Sequence, residues 1–392
     1  MGQVPDADAV QVKVWSTELG TLHARVAGRF ARPEPRRRAL AYLQGLLSQV
    51  DRKNSWHLAE HAGELTPDGM QRLLNQAGWD ADAVRDELRS YVVEHLGDPR
   101  AVLVVDETGF CKKGTKSVGV ARQYTGTAGR IENSQVGVFL AYASPAGHAL
   151  VDRELYLPRY WTDDLARCAE AGVPDQVGFH TKPQLAQAML ERALTAGVPA
   201  GWVTGDTIYG GDRRLRIWLE ERAVAYVLAV KRTEPLWTWT DRGPGQVPAE
   251  RLLTEVPAEQ WLRISAGQGP KGKRFYDWAR VALYRYGWPA NVGFWLLARR
   301  SIEDPKELAF YVCFGPASTP LVELVRVAGV RWAVEEAFQQ AKGEVGLDHY
   351  QVRRWTAWYR HITLALLAHA FLAVVRTQAT TVNDDGQRGQ SW

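Results

Sequence analysis

The stretch AVLVVDETGF, residues 101–110, constrains the fold more than any other part of the sequence. Its first five residues are apolar and mostly β-branched, and Asp106 follows them directly. A short, wholly apolar run of this kind is typical of a strand buried on both faces of a sheet. A second run, GWVTGD (201–206), has the same form and ends in Asp206. We therefore predict two buried strands, each followed by an aspartate.

The two aspartates are candidate metal ligands. A carboxylate at the rim of a core loses favourable hydration unless it binds a cation or hydrogen-bond donors. If the two strands are neighbours, Asp106 and Asp206 can reach one ion, and oxygen ligands suit Mg²⁺ or Mn²⁺. The alternative is that each aspartate only caps a turn after its strand. Asp212 is a nearby rival, but it fits better as the N-cap of the helix that begins RRLRIW. Glu107 should point to the opposite side of the strand from Asp106.

The third candidate carboxylate lies in VRWAVEEAFQQAKGEVGLD, residues 330–348, within a helical pattern that starts at Pro320 and runs past Lys342. Arg331, Glu335 and Lys342 are spaced 4 and 7 residues apart. At 100° per residue they fall within about 40° on one helix face. The apolar positions 334, 338, 341 and 345 form a stripe beside them. The charged row is therefore expected at the rim of a site. Glu336 is the competing acid, but it does not align with the two cations.

These residue types suit phosphodiester chemistry with two metal ions. One ion activates water or a 3′-hydroxyl group, and the other stabilises the leaving oxygen. Arg331 and Lys342 would hold phosphate groups, and arginine can do so through two parallel hydrogen bonds. The alternative for both cations is an ordinary solvated surface.

Outside these motifs, the pattern of apolar and polar residues indicates the organisation of the chain. Strand and helix patterns alternate after residue 98, which indicates a mixed α/β core. The predicted regions are a helical domain at 1–98, a core at 99–231, a β-rich region at 232–317, a second part of the core at 318–376 and a polar, disordered tail at 377–392. The apolar run 362–375 is interpreted as a buried core helix, because it is too short to span a membrane.

Composition excludes several classes of protein. The 392 residues are 46% hydrophobic with a net charge of +4, as in an ordinary globular protein, and the mild basicity permits nucleic acid without requiring it. Three cysteines lie far apart, which excludes a disulfide framework or zinc spacing and suggests a reducing compartment. MGQVPDADAV does not resemble a signal peptide. We expect a cytoplasmic protein with no membrane partner.

Further candidates for DNA contact are scattered along the chain. The run RPEPRRR (32–38) contains Arg36, Arg37 and Arg38, and KKGTK (112–116) contains Lys112, Lys113 and Lys116. Each run would suit phosphates, or would simply be solvated. Two short helical pieces around Leu65-Thr66-Pro67 resemble a helix-turn-helix, a pattern that is also common in other helical domains. Trp237 and Trp239 in the β-rich region are candidates for stacking on an unpaired base, although most tryptophans pack in cores.

Four longer motifs in order resemble the DDE transposases of bacterial insertion sequences, and in particular the insertion-sequence 701 family. They are VVDETGF, KKGTKSVGVARQYTGTAGRIENSQVGVFLAYAS, WVTGDTIYG and RWAVEEAFQQAKGEVGLDHYQVRRW. The resemblance covers about residues 30–375. It implies an RNase H-like (retroviral-integrase-like) core with Asp106, Asp206 and Glu335 as catalytic metal ligands. It also implies a β-rich insertion in the 335 − 206 = 129-residue interval.

The resemblance also implies an activity and partners. These are metal-dependent hydrolysis at transposon ends with two Mg²⁺ or Mn²⁺ ions, and 3′-hydroxyl strand transfer into target DNA. The partners are double-stranded DNA, both terminal inverted repeats and target, and a second copy in a synaptic homodimer at the bacterial nucleoid. The related insertion-sequence 4 group carries Tyr-x2-Arg-x3-Glu-x6-Lys, and here Ala328 occupies the tyrosine position. A domesticated DNA nuclease and a non-catalytic DNA-binding regulator remain alternative functions.

Overall fold

Helices and strands alternate around one large mixed sheet, so the protein is mixed α/β. The computed structural model describes residues 7–269 and 272–388, with side chains for 13–269 and 272–379. The mixed α/β class predicted from the sequence is confirmed.

Helices fill the region that precedes the sheet. In the described chain they are α1 (Ala7–Ala27), α2 (Pro33–Leu47), α3 (Ser55–His61), α4 (Asp68–Asn75) and α5 (Ala81–Leu96). Local capping explains two of the starts. The Asn54 side chain accepts hydrogen bonds from the first backbone N–H groups of α3, and Asp80 does the same for α5. The helical character predicted for 1–98 is therefore observed from residue 7 onward, and residues 1–6 lie outside the described chain.

The part of the chain that carries both aspartates alternates strands and helices. Its elements are β1 (Val102–Cys111), β2 (Ala121–Thr125), β3 (Arg130–Ser144), β4 (Gly147–Tyr156), α6 (Arg159–Thr162), α7 (Leu165–Ala171), α8 (Lys182–Thr195), β5 (Trp202–Gly205), α9 (Thr207–Gly210), α10 (Arg213–Glu221) and β6 (Tyr226–Val230). The apolar residues 101–105 are fully buried, as a strand covered on both faces requires.

The remaining elements follow in chain order. They are β7 (Pro235–Thr240), β8 (Gly243–Pro248), α11 (Ala249–Leu252), β9 (Leu262–Gly269), β10 (Gly272–Ala282), β11 (Val292–Arg300), β12 (Leu308–Pro316), α12 (Leu321–Val330), α13 (Trp332–Val345) and α14 (Trp355–Arg388). The strands β7 and β8 pair only with each other. β10 begins at Gly272, and Pro270 and Lys271 lie outside the described residues.

The main sheet has ten strands in the order β2-β3-β1-β5-β6-β12-β11-β10-β9, and β4 pairs with the other part of β3. The central strands β1, β5 and β6 are parallel, and the other pairs are antiparallel. The β-rich region at 232–317 therefore does more than form a separate lobe. Its strands β9–β12 extend the same sheet beyond β6, which strand patterns alone did not indicate.

Close approach of β1 and β5 depends on a glycine. Gly205 pairs with Val105, and a Cβ atom at Gly205 would lie 2.7 Å from the Val105 side chain. A larger residue there would force the strands apart, immediately before Asp206. The two aspartates consequently follow the same rung of the parallel ladder.

The helical pattern that begins at Pro320 is divided, and the prediction of one continuous helix is wrong. α12 ends at Val330 and α13 begins at Trp332, with Arg331 in the turn between them. Just before the division, α12 packs tightly against the sheet. A Cβ atom at Gly329 would lie 2.1 Å from the Ala266 carbonyl oxygen of β9, so the helix lies directly against the sheet strand. The predicted stripe on α13 is nevertheless buried at Val334, Phe338, Ala341 and Val345.

The helix α14 forms the centre of the protein. Trp355–Ala379 is long and apolar enough to cross a membrane, but most of it is buried against other elements, including β4, α5 and α2. The interpretation of 362–375 as a core helix is confirmed, and His361 and His369 are fully buried there. α14 continues to Arg388, into the tail that was expected to be disordered from residue 377. Residues 389–392 lie outside the described chain.

Candidate active site

The two aspartates lie side by side at the ends of parallel strands. Asp106 belongs to β1, opposite Phe139 of β3, and Asp206 directly follows β5. Backbone donors fix both carboxylates. Asp106 accepts a hydrogen bond from the Glu107 N–H at 2.8 Å, and Asp206 caps α9 by accepting from the Ile208 N–H at 2.8 Å. The carboxyl ends of adjacent parallel strands are a common place for binding and catalysis in α/β proteins.

Burial and mutual repulsion raise the proton affinity of this pair. Burial, reinforced by the charges of Asp206 and Glu107, raises the pKa of Asp106 to about 7. Burial, followed by the charge of Glu107, also raises the pKa of Asp206. The Asp106 side chain is only 15% exposed. The strand ends therefore place uncompensated negative charge in a poorly solvated position, which a cation would stabilise.

Arg331 joins the third carboxylate to this pair. Its Nη2 atom lies 2.8 Å from Glu335 Oε1, and its Nη1 atom lies 3.8 Å from Asp106 Oδ2. Burial acts to lower the pKa of Arg331, but the two carboxylates outweigh it and the pKa is raised. The helix pair α12–α13 therefore delivers a guanidinium to β1, with Glu335 on its other side. Arg331 therefore contacts both Asp106 and Glu335.

Glu336 faces elsewhere. It lines a cavity together with His148 and Trp332, and its charge acts on His148. Burial lowers the pKa of His148, and the carboxylate of Glu336 opposes that shift. Of the two adjacent glutamates, Glu335 alone contacts Arg331 in the described structure.

Lys342 is held against the strand that carries Asp106. Its Nζ atom donates to Thr108 Oγ1 at 2.8 Å, to the Gly109 carbonyl at 3.2 Å and to Thr127 Oγ1 at 3.1 Å. Burial lowers its pKa. This cation lies two residues along β1 from Asp106, so α13 is fastened to β1 at both Arg331 and Lys342.

A polar network beside Asp206 was not identified from the sequence. The Glu107 carboxylate accepts from Lys182 Nζ at 2.8 Å and from the Tyr209 hydroxyl at 2.6 Å. Through these two hydrogen bonds, Glu107 contacts α8 and α9. Its charge also acts on both aspartates. This network could not be predicted from local sequence, because Glu107 and Lys182 are 75 residues apart in the chain.

The basic run that follows β1, residues 112–116, is less available for contact with DNA phosphates than expected. The Lys112 ammonium lies 3.4 Å from the centre of the Tyr350 ring and donates to the Tyr350 carbonyl. Burial lowers its pKa to about 8. Lys112 therefore packs on Tyr350 in this structure, and its contact with phosphate stays a prediction. Lys113 is exposed, and Lys116 forms an exposed ion pair with Glu170 at 2.9 Å.

The other candidate contacts are exposed to different degrees. On α2, Arg37 is exposed, Arg36 donates to the Phe30 carbonyl, and Arg38 pairs with Glu64 at 3.0 Å. Trp237 and Trp239 on β7 are 41% and 66% exposed. Ala328, at the position of the missing tyrosine, is buried on α12. Asp212 caps α10, as predicted.

The oxygen donors at the strand ends fit a divalent cation, but the full set of three is not gathered. Asp106 and Asp206 are neighbouring carboxylates, and hard cations bind such groups. Glu335 is engaged by Arg331 instead. Among the described residues, no group of three or more His, Cys, Asp or Glu side chains could hold a metal ion. The structure therefore supports a two-aspartate binding position and places the glutamate one ion pair away.

A mixed sheet with buried carboxylates at parallel strand ends, next to helix-borne cations, defines an enzyme that acts on an anionic substrate. The sequence profile of the DDE superfamily endonucleases matches residues 25–284, and the chain belongs to this family. The matched part includes Asp106 and Asp206 and ends before Glu335. Family membership implies dependence on a divalent metal ion.

A curated relative extends the similarity further. The chain is 24% identical over 333 residues to the probable transposase for insertion sequence element IS701 of Microchaete diplosiphon. The alignment covers 81% of this chain and 77% of that protein. The resemblance noted in the sequence is thus confirmed at the level of the family.

Proposed function

We propose that this protein is a DNA transposase that cuts phosphodiester bonds at transposon ends and joins the 3′-hydroxyl to target DNA. The observation that carries the proposal is the buried pair Asp106–Asp206, linked through Arg331 to Glu335. The similarity to an insertion-sequence transposase supports transposition rather than simple DNA degradation. No external energy source is needed, since one phosphodiester replaces another.

Asp106, Asp206 and Glu335 would hold two Mg²⁺ or Mn²⁺ ions, which supply an activated oxygen nucleophile and stabilise the leaving oxygen. Arg331 presents a planar fork that can turn from Glu335 to a phosphate oxygen. Lys342 holds α13 against β1 and adds positive charge beside the phosphate. Burial of the aspartates favours the charged substrate–cation assembly over the free carboxylates.

The architecture agrees with an RNase H-like core in which β1, β5 and β6 form the centre and 232–317 is an insertion. On this assignment the insertion strands β9–β12 lengthen the core sheet, and the hairpin β7–β8 projects Trp237 and Trp239 for stacking on an unpaired base. The helices of 1–98 form a DNA-binding domain, with Arg36, Arg37 and Arg38 near one DNA end. Lys113 and Lys116 contact phosphates.

Two copies of the chain would bring two inverted-repeat ends together in a synaptic homodimer at the bacterial nucleoid. The paired ends then attack one target duplex. The DNA on either side of the gene tests this part of the proposal, because a mobile element requires terminal inverted repeats there.

Nicking of a supercoiled plasmid tests the catalytic part. The purified protein with Mg²⁺ or Mn²⁺ should convert supercoiled to open-circular DNA, and EDTA or Asp206→Asn should abolish the conversion. Wild-type protein that binds DNA but never cuts it with either metal would refute the enzyme and favour a binding protein.

A further inference from the structure

The segment 351–354, the last part of the connection 346–354 between α13 and α14, separates two polar cavities. One has a volume of about 840 Å³ and includes Lys116 and Arg167 in its lining. The other has a volume of about 450 Å³ and includes Trp56 and Gln71. Arg353 and Arg354 line both. These two cavities and the loop between them are called the arginine groove.

The two central arginines are exposed and unpaired. Within the described residues, neither guanidinium has a carboxylate, a hydrogen-bond acceptor or an aromatic ring as partner. Their backbone is nevertheless fixed. The Arg353 carbonyl accepts from the Val118 N–H at 2.9 Å, and the Arg354 carbonyl accepts from the Trp358 N–H at 3.0 Å. A rigid loop that presents two free guanidinium groups is prepared to bind an anion without reorganisation of the backbone.

The first rim of the groove adds oriented positive charge. The Arg167 guanidinium lies 3.7 Å from the centre of the Trp161 ring and donates to the Thr115 carbonyl at 3.0 Å. Lys116 lies on the same side. Four cations face two carboxylates, Asp164 and Glu170, in this cavity, so its formal charge is 4 − 2 = +2.

The second rim carries groups that recognise nucleic-acid bases. Helix α4 buries Met70, Leu73 and Leu74, so that Gln71 is exposed and Asn75 is half-buried on the cavity side, with the Asn75 amide donating to the Gln71 carbonyl at 2.9 Å and its Oδ1 atom left to accept. Amide side chains form paired hydrogen bonds with base edges in the major groove. Trp56, at the second position of α3, is 58% exposed on the same rim. No Asp or Glu is among the residues that line this cavity.

We propose that the arginine groove binds double-stranded DNA beside the cleaved phosphodiester. The inference rests on the proposed transposase function. Arg353 and Arg354 contact backbone phosphates, and Gln71 and Asn75 contact base edges. A polyanionic duplex matches a basic loop flanked by amides better than a protein or a small anion does, because such a loop offers several phosphate contacts in a row. The connection 346–354 follows α13 directly, so the groove lies close in the chain to the helix that carries Glu335.

Equilibrium binding tests the proposal. The probe is a fluorescein-labelled 30-base-pair duplex of mixed sequence, measured by anisotropy with the full-length protein in EDTA. The double variant R353Q/R354Q should bind roughly tenfold more weakly at low salt. The slope of log K against log salt concentration should fall by about 0.9 for each lost phosphate contact. The matched control is R251Q/K306Q, which removes two exposed cations that line neither cavity, and it should bind within about twofold of wild type.

Each outcome of these measurements has a fixed meaning. Equal affinity and salt slope for R353Q/R354Q and R251Q/K306Q would overturn the groove as a DNA site. Competition by a single strand as strongly as by the duplex would also overturn it, since the groove would then hold unpaired nucleic acid. An unchanged melting temperature for both variants keeps the comparison free of folding effects. Failure of wild type to nick plasmid with metal rejects the transposase function instead, and is read from a separate assay.

Discussion

The aspartate pair and the glutamate are built into the candidate site in different ways. Asp106 and Asp206 are fixed by backbone hydrogen bonds at the ends of two central strands, and Gly205 sets the distance between those strands. Glu335 is 38% exposed and is held by one ion pair to Arg331. One half of the site is therefore rigid in the free protein, while the other half can be rearranged by replacing a single contact.

This difference teaches where binding free energy is needed. Burial raises the pKa values of both aspartates, so their charged forms are destabilised in the free protein. A bound cation would stabilise those charged forms. Glu335 is paired with Arg331 in the free protein, so it becomes available to a metal ion only when Arg331 pairs with another anion. A phosphate of bound DNA is such an anion, so substrate would complete the set of three carboxylates.

The largest expected effect comes from the rigid half. Asp106→Asn should lower metal-dependent nicking by at least about 10³-fold, because a neutral amide binds a divalent cation poorly. In EDTA at neutral pH the same variant should be more stable than wild type by on the order of 2 kcal/mol, since it removes a buried charge. Chemical denaturation measures the second effect. Asp51→Asn, at an exposed position, is the control and should change neither quantity. If Asp106→Asn is less stable than wild type, the charge of Asp106 does not destabilise the folded protein.

Substitution of the adjacent residues Glu335 and Glu336 tests the half of the site that is held by one ion pair. Glu335→Gln should reduce nicking by about 10²-fold or more, and Glu336→Gln should remain within about twofold of wild type. Neither substitution should change the free energy of unfolding by more than about 1 kcal/mol, because both side chains are partly solvated. Equal loss of nicking in both variants would show that α13 matters only as a structural support.

Replacing the guanidinium fork tests the link between the halves. Arg331→Lys should lower the nicking rate roughly tenfold, since one ammonium group cannot serve two carboxylates and a phosphate with the same geometry. Arg326→Lys on α12 is the matched control, because Arg326 pairs with Glu323 away from the aspartates. Single-turnover rates at saturating protein are the readout. A full rate for Arg331→Lys would mean that charge alone suffices at this position.

The smallest expected effect concerns the support of the rigid half. Tyr209→Phe removes the hydroxyl that donates to Glu107, so unfolding should become easier by about 1–2 kcal/mol. Nicking should fall only a few-fold. Tyr160→Phe removes a hydroxyl from a half-exposed side chain and should cost less stability. If Tyr209→Phe matches Tyr160→Phe in stability, the Glu107 network does not support the strand ends.

Local sequence was sufficient to predict the buried strands that end at the two aspartates and the nearness of Arg331 to Glu335. The apolar runs before Asp106 and Asp206 predicted their burial, and residue spacing placed Arg331 beside Glu335. These features depend on neighbours within about one strand or two helical turns.

Pairing between distant segments could not be read in the same way. The salt bridge between Glu107 and Lys182, the packing of Lys112 on Tyr350 and the continuation of the sheet through β12 all join residues far apart in sequence. No proline marks the break at Arg331, and Gly329, which lies just before it, packs directly against β9. Such features are set by tertiary packing, which overrides a helical pattern.

The position of β12 has a consequence for the timing of activity. The strand pairs with β6, and Arg331 and the helix that carries Glu335 follow it in the chain. A growing polypeptide therefore exposes both aspartates long before it has synthesised their third partner. Because chains emerge from the ribosome N-terminus first, the set of carboxylates is complete only when most of the protein has been made. On the proposed mechanism, a nascent or truncated chain has no competence to cut the genome that encodes it.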